Sequence, residues 1–514
     1  MEQISPRTAL AGRRLKLALP WVTPSLADII FAALLTWLVM FTIHSDGSTG
    51  LLLDSNTGYH IRTGDYILEH GSVPHGDIFS FSKPGEPWFA WEWLSAVLFA
   101  AAFQAFGLKG LIILTGSLIA LSNVILLRHM VWRGANFLMA IAVVHLVLVA
   151  SSIHYLARPH VFTLLFLPIA LWMIDADRLN PSRRIWFLVP LAALWANLHG
   201  GFLALLACLA IVAAGSAVEA LLNSDSFLRA RRYAMVTVAC LAASAVNPYG
   251  FAIHAHALPY LKTKWILELV QEFQSPNFHS PGTIYFELLL FMGIGLVVWL
   301  LAERKVAPAL LILAWAHAAL TSMRHIPIYA FVAAPPLAHA ATRLWDHWAA
   351  GAKSDSVRAI FGSLASEHTA GLRRISVWTP IAVLVMLLLP LGGAWPDDFP
   401  AGKFPADIVE ANAERISASR IFTTDSWADY LTFHFYPRQK IFVDGRSDFF
   451  GQQISEAYIQ ILKGQYGWDT LMKRYDLNAA LVPSQSALAS LLRVNAGWRL
   501  VDEDNQATLF ERVR

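Results

Sequence analysis

Apolar runs of close to 20 residues recur along this chain from Ile29 to Leu391. That is the length an α-helix needs to cross the hydrocarbon core of a bilayer, about 30 Å at about 1.5 Å per residue. Such runs leave the backbone little choice. In lipid every N–H and C=O must be satisfied within its own segment, so each run folds as a helix. Spans are predicted at residues 26–44, 110–128, 136–153, 160–175, 185–198, 201–221, 234–247, 285–302, 306–321, 325–342 and 376–394, about eleven in all. Charge agrees with this: 15% of the 514 residues are charged, against about 25% in soluble domains. From Trp395 onward the composition is ordinary. The predicted fold class is therefore mainly α. A polytopic helical membrane domain covers residues 1–394, with a first outer loop at 45–109, and a small α/β domain outside the cytoplasm covers 395–514.

In that last domain "RIFTT", "KIFVDG" and "NAALVP" read as strands, "ISEAYIQILKG", "WDTLMKRYD" and "QSALASLLRV" as helices, and "WRLVDEDNQATLFER" as a terminal hairpin. The net charge of +3 is spread in short clusters between apolar runs, which excludes a nucleic-acid-binding face. Cys208 and Cys240 both fall inside predicted spans, so neither a structural disulfide nor a zinc site is expected. Arg13, Arg14 and Lys16 precede a long apolar run with no small-residue cleavage site, which reads as an uncleaved first span.

Topology turns on one stretch, "EWLSAVLFAAAFQAFG", Glu92 to Gly107. If it crosses the membrane, Arg128, His129 and Arg133 fall outside. If it lies along the outer interface, that cluster and every later basic cluster fall on the cytoplasmic face, as the positive-inside rule favours. The N-terminus is then cytoplasmic and residues 395–514 lie on the outer side. The unusual polar sequences gather on that same side: "DSNTGYHIR", "ARPH", "NLHGG", "NPYG", "QEFQSPNF" and "SMRH". Polar residues at span ends are costly to bury unless paired or facing a wet cavity. One outward-opening cavity is predicted.

Asp54 stands just past the first span. Partial burial there suits a general base, a metal ligand or the N-cap of the helix that follows. Arg62, about 80° round that helix from Asp54, and His60 between them are candidates for binding a phosphate. Arg158 and His160 in "ARPH" and Arg324 and His325 in "SMRH" suit a phosphate or diphosphate, or lipid headgroups. Asn197 and His199 flank a turn whose Gly200 and Gly201 permit close backbone approach. Glu272 is a second candidate carboxylate in a loop able to act as a lid. No Walker, GxGxxG, HExxH or GxSxG element is present.

These residues resemble the GT-C superfamily of polytopic glycosyltransferases. "DSNTGYHIRTGDYILEHG" is similar to the first-loop segment of oligosaccharyltransferase catalytic subunits, and "SWADYLTF" to their Trp-Trp-Asp-Tyr-Gly sequence. Trp427, Asp429 and Tyr430 match there, whereas Ala428 and Leu431 depart. Bacterial GT-C proteins carrying "RPH", "NLHGG", "RHIP" and "FVDGR" are more similar still. The resemblance implies a bacterial inner-membrane enzyme that moves a sugar from a polyprenyl-phosphate donor to a glycan, lipid or protein acceptor on the periplasmic face. It implies inversion, Asp54 as base or metal ligand, and an optional divalent metal, Mg or Mn. Trp427, Asp429 and Arg446 become candidates for acceptor recognition; the departures at Ala428 and Leu431 weaken asparagine-linked transfer. The rival readings are a transporter or flippase of lipid-linked glycans, for which broken mid-membrane helices and an inverted repeat would speak, and a non-catalytic scaffold.

Overall fold

The computed structural model describes residues 22–513 other than 45, 46, 48, 261–269, 281, 352, 354, 355 and 375. The basic cluster at Arg13, Arg14 and Lys16 lies outside these residues. The chain is mainly helical, with a small sheet near its C-terminus. Among the described residues six helices are long and apolar enough to cross a membrane: Leu26–Ile43, Trp93–Trp132, Phe137–His154, His160–Leu179, Phe202–Asn223 and Thr283–Ala302. Val357–Arg373 and Trp378–Leu388, bent by 78°, make a seventh if they are one span. This is a multi-pass membrane protein. Helices also stand at the other expected spans, but Leu188–Leu198, Leu228–Ala243 and Val306–Thr321 are only 11, 16 and 16 residues long. Length and apolarity therefore support fewer spans than the eleven expected.

The expected interfacial helix and the expected span at 110–128 form one 40-residue run, Trp93–Trp132, broken at Gly107. Gly107 takes φ 62° and ψ −155°, a conformation essentially confined to glycine. The limb before the break packs on helix Asn56–His70. Their backbones approach so closely that a Cβ at Gly64 would lie 2.0 Å from the Ala96 carbonyl oxygen. The opposite side of Asn56–His70 meets helix Asp425–Phe435 of the C-terminal domain, where a Cβ at Gly58 would lie 2.8 Å from the Asp429 carbonyl oxygen. One short helix is thus clamped between the membrane domain and the C-terminal domain.

The C-terminal sheet contains β1 (Ile421–Thr423), β2 (Ala479–Pro483), β3 (Trp498–Glu503) and β4 (Ala507–Arg512) in the order β1-β2-β4-β3. β1 and β2 are parallel; the other pairs are antiparallel. The expected strand "KIFVDG" is not part of it. Ile441 instead forms a single bridge with Ser80 in the loop before Trp93, exchanging backbone hydrogen bonds of 3.0 Å with Phe79 and Phe81. Its alternating pattern is satisfied by docking on that loop, which periodicity alone does not distinguish from a sheet position.

Candidate functional site

The stretch after the first span folds into helix Asn56–His70, whose N-cap is Ser55 rather than Asp54, which stands one residue before it. Asp54 Oδ1 accepts a hydrogen bond from the Asn56 N–H at 2.8 Å. Its Oδ2 accepts from Arg158 Nη1 at 3.0 Å. A helix-start contact and a site contact therefore fall on one carboxylate, one oxygen each. The turn carrying Arg158 is tied to the same place: Ala157 N–H donates to the Leu51 carbonyl at 2.7 Å, and Thr57 Oγ1 to the Ala157 carbonyl at 2.8 Å.

Arg158 Nη1 also reaches Glu272 Oε1, at 2.5 Å. The Glu272 segment is pinned in turn to the Ser322–His325 turn. Ser322 Oγ donates to the Glu272 carbonyl at 3.0 Å, and Met323 N–H to the Gln274 carbonyl at 2.9 Å. Arg158 holds the Glu272 carboxyl well below the usual carboxylate range. Burial works against the charge on Arg158, but Asp54 and then Glu272 outweigh it and keep the guanidinium protonated.

Beside this triad lies a cavity of about 290 Å³ whose walls include Arg158, His160, His199, Glu272, Arg324 and His325, together with Glu92 and His154. Arg324 lies over the Phe273 ring, 4.4 Å from its centroid. His160 Nε2 is 2.5 Å from the His154 carbonyl, and His325 Nδ1 is 3.2 Å from the Ala318 carbonyl. Six of the residues singled out in the sequence thus meet at one cavity, drawn from four separate segments.

Glu92 is the N-cap residue of helix Trp93–Trp132. In the structure it is also the carboxylate of a buried cluster. His60 Nε2 and His199 Nε2 each stand 3.4 Å from one of its oxygens. The His199 tautomer follows from its other nitrogen. Nδ1 accepts from the Gly201 N–H at 3.0 Å and from Thr163 Oγ1 at 2.7 Å, and Thr163 Oγ1 itself accepts from Trp195 Nε1 at 2.8 Å. Nε2 therefore carries the hydrogen and directs it at Glu92. A Cβ at Gly201 would fall 2.0 Å from Thr163 Oγ1, so this relay requires glycine there. Burial pushes the Glu92 carboxyl up to about 7, against the opposing pull of Arg158. Burial likewise holds His60 and His199 well below the usual histidine range.

Five candidates lie away from this cavity. Arg62 turns to the C-terminal domain, donating to the Phe433 carbonyl and pairing with Asp65 at 2.9 Å. Asn197 accepts from Trp93 Nε1 at 2.8 Å and donates to the Ala193 and Val246 carbonyls. Trp427, 6% exposed, donates its indole N–H to the Lys403 carbonyl at 3.1 Å. Asp429 is fully buried and accepts from Ser55 Oγ at 3.2 Å. Burial, then Asp444 and Asp425, push its carboxyl well above the usual range. Arg446 is a buried staple between domains. It pairs with Asp444 at 2.6 Å and with Asp77 at 2.8 Å, and its guanidinium lies over Trp88, 4.5 Å from a ring centroid.

The donor sets do not fit a metal centre. Among the described residues no group of three or more His, Cys, Asp or Glu side chains could hold an ion. Asp54 and Glu272 converge on a guanidinium, and His199 offers an N–H rather than a lone pair to its carboxylate.

No family model and no curated protein sequence matches the chain. Solved structures do. The archaeal oligosaccharyltransferase AglB from Archaeoglobus fulgidus, in complex with an inhibitory peptide and a dolichol-phosphate, is 11% identical with a TM-score of 0.57, covering 89% of this chain and 69% of that one. The Archaeoglobus fulgidus enzyme tethered to an acceptor peptide containing the NVT sequon is 11% identical with a TM-score of 0.58, covering 95% and 74%. ArnT from Cupriavidus metallidurans in the apo state is 14% identical with a TM-score of 0.49 over 99% of both chains. The chain has the fold of the archaeal oligosaccharyltransferase.

Proposed function

We propose that the protein is a membrane glycosyltransferase that moves a sugar from a polyprenyl-phosphate-type donor to an acceptor on the outer face of the membrane, with inversion. One observation carries the reading: the Asp54–Arg158 ion pair joins a cavity that carries Arg158 and Arg324 to an apolar groove, in a chain with the fold of an oligosaccharyltransferase. The donor phosphate lies in the cavity against Arg158 and Arg324. The acceptor hydroxyl attacks the anomeric carbon from the opposite side, and its proton passes to the Asp54 carboxylate. The bond from that carbon to the phosphate oxygen breaks, and the phosphate leaves with its electron pair. Arg158 and Arg324 offset the charge it gains. No step runs through a metal. Trp427, Asp429 and Arg446 set the position of the C-terminal domain, and the proposal gives them no contact with the acceptor.

The test is consumption of radiolabelled polyprenyl-phosphate sugars by the purified protein in lipid, wild type beside Asp54→Asn. The wild type is expected to consume a donor, and the variant to be slower by about 10²–10⁴-fold. Equal consumption by both removes Asp54 from the chemistry. Labelled donor that crosses the bilayer intact supports the flippase reading instead.

A further inference from the structure

Asp54, whose Oδ2 meets Arg158 of the cavity wall, itself lines a second space, a groove of about 800 Å³ between helices Leu26–Ile43 and Phe137–Ser151. We propose that this groove is the acceptor site, and that the acceptor is a lipid with an anionic headgroup and a free hydroxyl. The proposal rests on the glycosyltransferase reading for its chemistry but not for its binding.

The groove wall is apolar for some distance below its lip. From Leu34 to Phe41 the first helix rises about 10 Å, and the second helix contributes Leu148 and Val149. Trp37 and Phe41 stack with ring centroids 5.3 Å apart, each 41% exposed. They sit on a helix of membrane-spanning length, so the groove opens sideways into the acyl region rather than into water. A peptide there would leave its N–H and C=O groups without partners, at several kcal/mol each. A hydrocarbon chain meets no such penalty. A chain leaving the bilayer for an apolar wall gains little from burial, however, because lipid is as apolar as leucine. Selection must therefore come from the headgroup.

The lip supplies it. Lys403, from the segment that precedes the C-terminal sheet, lines the same groove as Asp54. Its backbone is held by Trp427 Nε1 at 3.1 Å. Among the described residues no carboxylate lies within ion-pair distance of its ammonium, which is exposed. A cation without a carboxylate partner and a carboxylate, both lining one apolar groove, complement a lipid phosphate that carries a hydroxyl-bearing group. The phosphate meets Lys403 and the hydroxyl meets Asp54. The similarity of "SWADYLTF" to an acceptor-reading motif then takes a different physical form, since Trp427 holds the lysine that reads the headgroup.

The test uses the full chain in lipid nanodiscs with trace diazirine-acyl phosphatidylglycerol or diazirine-acyl phosphatidylcholine, photolysed and mapped by peptide mass spectrometry. Labelling of residues 34–41 and 148–153 is expected to be at least about threefold higher with the anionic probe. Lys403→Gln is expected to reduce it to the level of the zwitterionic probe, and Val149→Trp to abolish it. Labelling of Thr283–Ala302, a lipid-facing reference, stays constant. Equal labelling by both probes, or indifference to Lys403→Gln, identifies ordinary boundary lipid and overturns the proposal. Displacement of the label by added polyprenyl phosphate assigns the groove to the donor and also overturns it. Labelling needs no turnover, so this result and the donor-consumption result fail independently.

Discussion

Replacing Glu92 with glutamine isolates the buried cluster at the cavity wall. The side chain is 17% exposed and is faced by His60 and His199 directly, with Arg158, Arg324, Glu272 and Asp448 acting at longer range. A carboxyl whose folded pKa exceeds its unfolded value binds protons more tightly when folded. Its contribution is complete below pH 4.5 and is lost as pH rises through about 7. That difference corresponds to about 3 kcal/mol across the window. Glu92→Gln removes the titration and leaves the shape nearly unchanged. Thermal unfolding of wild type and variant in the same detergent, from pH 4.5 to 8.5, should show a gap that widens in favour of the variant up to about pH 7 and is flat above it. The full gap is worth a few degrees for a chain of this size, because the unfolding entropy grows with chain length. His60 and His199 are present in both proteins, so their titration cancels to first order. Melting curves that stay parallel across the whole range would refute the reasoning, since Glu92 would then titrate as an ordinary surface carboxylate.

Other outcomes follow from the same geometry. Arg158→Met should lower kcat/KM for donor by about 10²–10³-fold, with Arg158→Lys restoring part of it, because a lysine keeps the charge but not the planar guanidinium whose Nη1 meets both Asp54 and Glu272. Arg446→Met leaves Asp77 and Asp444 buried without their cation, a loss of about 3–5 kcal/mol. Limited proteolysis should then release the C-terminal domain faster than from wild type, and unchanged resistance would remove the staple argument. Gly64→Ala places a Cβ 2.0 Å from a carbonyl oxygen and should cost about 1–3 kcal/mol in thermal stability. Gly362→Ala, where nothing lies within 4 Å, should be neutral or stabilising by up to about 1 kcal/mol.

Much of the cavity was legible because membrane topology converts chain order into a side. Once the basic clusters are placed on one face, Arg158, His160, His199, Glu272, Arg324 and His325 fall at span ends on the other, and the ends of packed helices lie close together. Glu92 was legible as a residue but not as a site. Its partners are 32 and 107 residues away, and nothing local distinguishes a helix-opening glutamate in water from one closed in by two imidazoles. Trp427, Asp429 and Arg446 carried a resemblance, but burial is a property of both sides of an interface, and the other side is helix Asn56–His70 with the loop that follows it. "KIFVDG" was misread for the same reason: a two-residue alternation reports a half-buried extended segment, not the neighbour that buries it.

The amino-acid sequence alone determined that the chain is a multi-pass helical membrane protein, and that a carboxylate follows the first span. Those properties depend on local composition and the demands of lipid on the backbone, which act residue by residue. Tertiary structure alone decided that Asp54 divides its two oxygens between a helix start and Arg158, that Glu92 is held between two neutral histidines, and that Lys403 reaches the lip of an apolar groove. Each of these is a contact between segments distant in the chain, set by how the helices pack, and no local pattern encodes it.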